Sequence, residues 1–155
     1  MSINMNDKSK VKNLCPWNIS WERQTTDGDE FIKANQIVYI INSEIETQVQ
    51  NGNIFFIGTG NGEHARVYIN NPEMREYLGF DNKEEKRTQF ILDDDKCKQI
   101  LEYKTFSIFK KHVEEEIITN QEKATIVNYA KKIKMNDYDK IKFLESYTNL
   151  TFKEE

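Results

Sequence analysis

Hydrophobic and polar residues alternate over several short stretches in the first half of the chain. Trp17, Ile19 and Trp21 alternate with polar residues, which predicts a strand with one apolar face. Residues 31–41 end in the run IVYII, whose β-branched residues favour an extended strand. Because this run is apolar at every position, we expect both of its faces to be covered.

Residues 43–70 contain further short elements. Residues 43–52 fit either a helix, with Ser43 and Glu46 as a capping box, or a strand that ends in an Asn-Gly hairpin turn; the helix is favoured. Residues 54–57 and 65–70 are predicted strands, and the glycine-rich loop between them would close a hairpin.

The hydrophobic period changes to that of helices in the second half. Spacings of three and four residues, such as Phe106, Phe109 and Val113, predict about four helices after residue 92. A shorter helix is predicted after the Asn71-Pro72 pair, since Asn caps helices and Pro suits their first position. The expected N-caps of the four C-terminal helices are Asp93, Thr105, Thr119 and Asn136, and Glu122 would complete a capping box with Thr119.

All six glycines and both prolines lie in the first 79 residues. Because these residues interrupt regular structure, their distribution divides the chain. We predict an α+β fold in which a small β-rich unit, a hairpin plus short helices over residues 14–92, packs on a C-terminal helical bundle over residues 93–155. Residues 1–13 are lysine-rich and poor in apolar side chains, and are predicted to be a flexible N-terminal arm.

Composition limits the classes of function. The 155 residues carry a formal net charge of −4, and neither half is basic, so general attraction to nucleic acid is not favoured. No apolar run approaches the roughly 18 residues of a membrane-spanning helix, and no secretory signal is recognisable. Cys15 and Cys97 fall in different regions, which favours two free thiols and a cytoplasmic site of synthesis.

Motifs for catalysis, cofactors and metals do not emerge. Gly58, Gly60 and Gly62 lack the spacing of a phosphate-binding loop and are expected to supply positive φ angles. His64 and Arg66 follow this loop, but no other residue gives His64 a metal-ligand or catalytic spacing. The acidic run at residues 93–95 is predicted to cap a helix. We therefore expect no enzyme activity, no cofactor and no metal.

Two surfaces could bind a partner. Trp17, Ile19 and Trp21 form an aromatic strand beside the predicted arm, and aromatic residues often anchor protein interfaces. We also expect His64 and Arg66 to contribute to partner binding. The alternative is a nucleic-acid-binding or host-protein-binding regulator that uses lysines near a helical turn, namely Lys131, Lys132, Lys134, Lys140 and Lys142.

The stretch NSEIETQVQNGNIFFIGTGNGEHARVYINN and the lysine-rich, capped helical block resemble, in style, small auxiliary virion-associated proteins of tailed bacteriophages. The abundance of Lys, Ile and Asn, which have A/T-rich codons, also suggests an AT-rich bacterial or phage genome. The resemblance implies a non-enzymatic structural or accessory protein, a capsid or tail auxiliary component of the virion. Its partners would be other proteins in a larger assembly, with no membrane.

Overall fold

The computed structural model describes residues 3–153, and the chain divides into two compact units, Met1–Phe90 and Ile91–Glu155. Within the described residues, the first unit holds five antiparallel strands in two sheets together with three helices, and the second holds helices alone. Helices make up 41% of the residues and strands 18%. The predicted α+β class is therefore confirmed.

The first unit contains a three-stranded sheet in the order β4-β1-β5 and a separate two-stranded sheet of β2 and β3. Every strand pair is antiparallel. Its elements in chain order are β1 (Lys8–Asn13), β2 (Ile19–Glu22), β3 (Asp29–Ile32), β4 (Ile37–Ile41), α1 (Asn42–Gln50), α2 (Ile54–Ile57), β5 (Val67–Asn70) and α3 (Pro72–Tyr77).

The prediction of a flexible arm is wrong for residues 8–13. These residues form β1, the central strand, whose inner face is buried and partly polar. The buried hydroxyl of Ser9 donates to Asn42 Oδ1 at 2.5 Å and accepts from Asn71 Nδ2 at 2.9 Å. The buried Asn13 amide donates to the carbonyl of Ile32 at 3.2 Å. Polar residues therefore sit inside the fold because each finds a hydrogen-bond partner there.

The segment 31–41 is two strands rather than one. A turn with Asn35 at φ 62° separates β3 from β4. The expectation that the IVYII run is covered on both faces is also wrong. Ile37 is 50% exposed and Tyr39 is 61% exposed, so β4 is an outer strand with one face open.

Residues 42–50 form the favoured helix, α1, but without the predicted capping box. The N-cap is Ile41, two residues before Ser43, and it makes no side-chain cap bond. The strand predicted for residues 54–57 is wrong, because this segment is the short helix α2. Asn53 caps α2 by accepting from the Phe55 amide at 2.9 Å, and Gly58 ends it.

The second unit contains the four expected helices: α4 (Asp94–Leu101), α5 (Phe106–Glu116), α6 (Asn120–Lys132) and α7 (Tyr138–Thr148). Asp93 caps α4, and the capping box of Thr119 and Glu122 forms at α6, as predicted. Thr105 occupies the N-cap of α5 without a side-chain bond. Asp137, not Asn136, caps α7 by accepting from the Lys140 amide.

Each unit has its own hydrophobic core. Ile32, Ile45, Phe56, Ile69 and Met74 are among the buried residues of the first. The second core gathers one face of every C-terminal helix, including Ile100, Phe109, Val113, Ile126 and Leu144. Over residues 3–153, no helix combines the length and apolar character needed to span a membrane.

Candidate functional site

One face of the three-stranded sheet is open to solvent and carries a row of lysines. Side chains alternate across a strand, so every second residue of β1 points to the same side. Lys8, Lys10 and Lys12 occupy the exposed side, and the residues between them are buried. The strand register therefore determines which residues of β4 and β5 flank the lysines.

The flanking residues are aromatic, aliphatic or amide side chains. Lys10 lies opposite Tyr39 of β4 and Asn70 of β5, and its Nζ atom is 6.0 Å from the centre of the Tyr39 ring. Lys12 lies opposite Ile37 and Tyr68 in the same way. We call this surface the lysine face, defined as Lys8, Lys10, Lys12, Ile37, Tyr39, Ile41, Tyr68 and Asn70.

The lysine face is locally cationic although the whole chain is not. Its eight residues include three lysines and no carboxylate, whereas the chain has a formal net charge of −4. Exposed charges are largely screened beyond about 10 Å at 0.1 M salt. A ligand on this surface therefore experiences the three lysines more strongly than carboxylates beyond that distance.

A buried arginine fixes one edge of the lysine face. Arg75 is 1% exposed, and its guanidinium carbon lies 4.7 Å from the centre of the Tyr68 ring. Its Nε donates to Asp81 and its Nη1 to Gln89, each at 3.0 Å. These contacts hold Arg75 in place, and stacking on a fixed guanidinium restricts the Tyr68 ring.

The predicted aromatic strand is largely internal. Trp21 is 8% exposed and packs edge-on against Phe56, with ring centres 5.1 Å apart, and Ile19 is 4% exposed. Both residues belong to the core, so their assignment to a partner-binding surface is wrong for this fold. Trp17 is 41% exposed, because β2 begins only at Ile19 and the alternation does not reach back to it.

The glycine-rich loop is closed by its own backbone. Gly58, Gly60 and Gly62 all have positive φ angles, as predicted, but the loop follows α2 and does not join two strands. A Cβ atom at Gly58 would lie 2.0 Å from the Glu63 carbonyl oxygen, so the turn is too tight for any side chain there. The Thr59 amide donates to the same oxygen at 2.8 Å.

His64 and Arg66 lie next to this loop. The His64 ring is half-buried, 6.0 Å from the Phe90 ring centre and tilted by 55°. The Arg66 amide donates to the Phe55 carbonyl, and its own carbonyl accepts from the Leu14 amide, each at 2.9 Å. Arg66 thus ties its segment to the fold through its backbone.

A groove of about 630 Å³ lies between α3 and the following loop. Its charged lining is balanced, since it contains three carboxylates and three cations. Lys83 is 3.9 Å from Glu76, and Arg87 Nη2 donates to the Gly79 carbonyl at 2.8 Å. The groove therefore has no charge preference comparable with that of the lysine face.

Asp93, of the acidic run, and His112, of α5, both have structural contacts. Asp93 accepts from the Lys96 amide at 2.9 Å as a helix cap. His112 stacks on Tyr103 with ring centres 4.3 Å apart, and its Nδ1 is 3.4 Å from Glu116. Among residues 3–153, no group of three or more His, Cys, Asp or Glu side chains is placed to hold a metal ion.

Both cysteines are buried thiols of low reactivity. Burial raises the pKa of Cys15 to about 11, against a smaller opposing effect of Arg66. Burial, with added repulsion from Asp94 and Asp93, raises the pKa of Cys97 to about 12. Because the thiolate is the reactive form, neither residue is suited to act as a nucleophile at neutral pH.

The lysines near the predicted helical turn are divided between the inside and outside of the second unit. Lys140 is 9% exposed, and its Nζ donates to the carbonyls of Leu101 and Tyr103, each at 2.7 Å. Lys132 Nζ lies 3.5 Å from Asp94. Lys140 therefore completes the end of α4 and does not contribute to a phosphate-binding surface.

The lysine face was missed in the sequence, although the alternating pattern KSKVKN was a signal for it. Comparison of the chain with protein-family models, with curated proteins and with solved structures gives no match.

Proposed function

We propose that this chain is a non-enzymatic binding protein, an accessory component of a larger assembly, and that the lysine face is its contact surface. The observation that carries the proposal is the exposure of apolar side chains on the outer strand of a cationic sheet face. Tyr39 is 61% exposed and Ile37 is 50% exposed, and both lie on β4 directly beside the lysine row of β1. Such a mixture of aromatic and cationic groups suits binding more than solubility alone.

The side chains that could act in catalysis are engaged in structural contacts, which also supports a binding role. Asp93 is committed to a helix cap, and the two thiols are buried. His112 is held between Tyr103 and Glu116. On the lysine face, by contrast, Lys8, Lys10, Lys12 and Tyr39 are exposed together.

A more specific proposal is a virion-associated protein of a tailed bacteriophage, such as a capsid or tail auxiliary component. It rests on the residue usage and on the resemblance in sequence style. In this proposal the lysine face takes the place of the Trp17–Trp21 strand as the docking surface, because Ile19 and Trp21 are buried.

Site-specific photocross-linking tests the proposed surface. The full chain would carry p-benzoylphenylalanine at position 39, or at position 111 as a matched control, in cells that naturally express it. Tyr39 and Lys111 are both exposed, but Lys111 lies on α5. We expect discrete adducts from position 39 that are absent from position 111. No adduct at position 39, or the same adducts from both positions, would contradict the proposal.

A further inference from the structure

We infer that the lysine face binds single-stranded nucleic acid. The inference rests on the proposed function, since it names the partner of the same surface. It differs from the alternative considered for the C-terminal helices, because it uses the β4-β1-β5 sheet.

The first argument is the regular spacing of charge. Lys8, Lys10 and Lys12 are alternate residues of one strand, so their Cα atoms repeat every ~6.6–6.8 Å. A nucleic acid strand also repeats its charge, with one phosphate per nucleotide, and an extended single strand separates its phosphates by more than the ~3.4 Å rise per nucleotide of a stacked duplex strand. A row of lysines on a straight strand can therefore follow such a backbone over several nucleotides.

The second argument is the aromatic ring beside the lysines. Single-stranded nucleic acids bind open sheets by stacking bases on exposed aromatic side chains while basic residues contact the phosphates. Tyr39 is the most exposed aromatic residue of the face and lies directly across from Lys10. Tyr68, on the opposite side of β1, is positioned by Arg75.

The same features favour a nucleic acid over an acidic protein segment. Each nucleotide offers an anionic group and a flat π-face together, and the lysine face offers cations on β1 with one tyrosine on each flanking strand. An acidic peptide would use the three lysines but would gain little from Tyr39. Dependence on the Tyr39 ring therefore distinguishes the two partners.

The test is fluorescence anisotropy with a labelled oligothymidylate and an oligouridylate of about twelve nucleotides, within the ~4–16 nucleotide range of known single-strand-binding folds. Binding would be measured from about 50 to 200 mM salt. The combined variant Lys8→Gln, Lys10→Gln, Lys12→Gln is compared with Lys98→Gln, Lys104→Gln, Lys111→Gln, which removes three exposed lysines of the second unit.

For single strands, each phosphate contact contributes ~0.7 to the slope of log affinity against log salt. Because the lysine-face variant loses three such contacts, we expect the magnitude of its slope to fall by about 2. The control variant should keep the wild-type slope. Tyr39→Ala should weaken binding roughly 5- to 150-fold, and Tyr39→Phe should preserve it. Circular dichroism would establish that each variant is folded.

Four results would overturn the inference: no binding at the lowest salt, equal loss in both lysine variants, unchanged binding in Tyr39→Ala, or equal affinity for a polyglutamate peptide of the same length. If any one of these results is obtained while position 39 still cross-links to proteins, the proposed function stands and only the nucleic-acid partner is rejected. Absence of any specific adduct at position 39 rejects the proposed function itself.

Discussion

The carboxylate of Glu44 fastens the turn after β2 to α1, and its replacement by glutamine is a direct test of this account of the first unit. Glu44 is 2% exposed. It accepts from the Gln24 amide at 3.0 Å, from the Thr25 amide at 2.8 Å and hydroxyl at 2.7 Å, and from Gln48 Nε2 at 2.7 Å. All four donors meet one side chain, so the substitution affects them together.

The magnitude follows from the surroundings of these bonds. The Gln48 bond is buried, and a buried donor without an acceptor costs about 1–3 kcal/mol. The hydrogen bonds from Gln24 and Thr25 are partly buried and would change from charge-assisted to neutral ones. Each of them should therefore lose less stabilising free energy than the buried Gln48 bond. We expect Glu44→Gln to lower the free energy of unfolding by about 3 kcal/mol, a large part of a typical stability of about 5–15 kcal/mol.

Urea denaturation followed by tryptophan fluorescence is a suitable assay, because both tryptophans, Trp17 and Trp21, belong to the first unit. The control is Glu22→Gln, an exposed carboxylate on β2, for which we expect a change within about 0.5 kcal/mol. A loss for Glu44→Gln no larger than that of the control would refute the reasoning.

The same carboxylate gives the first unit a pH dependence. Burial alone would raise the pKa of Glu44, but the hydrogen bonds from Thr25, Gln24 and Gln48 outweigh it and lower the pKa below its ordinary value of 4.5. The ionised form therefore stabilises the fold above about pH 4.5, and this stability is lost as the pH falls through the folded-state pKa. Glu44→Gln should flatten this acid portion of the stability profile.

Three further predictions concern the glycine loop, the second core and the thiols. Gly58→Ala should destabilise the first unit by more than Gly52→Ala in urea denaturation. A Cβ atom at Gly58 would lie 2.0 Å from the Glu63 carbonyl oxygen, whereas a Cβ atom at Gly52 would have no neighbouring atom within 4 Å. Equal losses of stability in the two variants would contradict this. Lys140→Met should destabilise the second unit by about 2–4 kcal/mol in far-ultraviolet circular dichroism melts, because one buried and one partly buried carbonyl lose a charged donor. The exposed control Lys142→Met should change little. Neither thiol should react with Ellman's reagent at pH 8 until the protein unfolds, and rapid reaction of either one in the folded protein would contradict the burial described.

Local signals in the sequence were sufficient for the helical unit. Asp93 and the pair of Thr119 and Glu122 act within their own helices, so their roles follow from residues close in sequence. The sequence pattern predicts Asn136 as the cap of the last helix, whereas Asp137 occupies that position; both are good capping residues. Spacing alone could not separate adjacent caps, and helix boundaries depend on packing as well.

The structure of the β-rich unit is determined by contacts between residues that are far apart in sequence, so local patterns predict it less well. Lys8–Asn13 is a strand because β4 and β5 pair with both of its edges, and neither partner is adjacent to it in sequence. Ile54–Ile57 is four residues long, too short for its period to distinguish a helix from a strand. The lysine face combines three such strands, so its aromatic and cationic residues could be brought together only once the register was known.

Mapping of the bound surface by nuclear magnetic resonance tests the central claim most directly. The full ¹⁵N-labelled protein would be titrated with the oligothymidylate, and amide shifts compared across the chain. The account predicts that the largest changes fall on Lys8–Asn13, Ile37–Ile41 and Val67–Asn70, the strands of the lysine face. Changes centred on α6 and α7, or no saturable change at any amide, would contradict it.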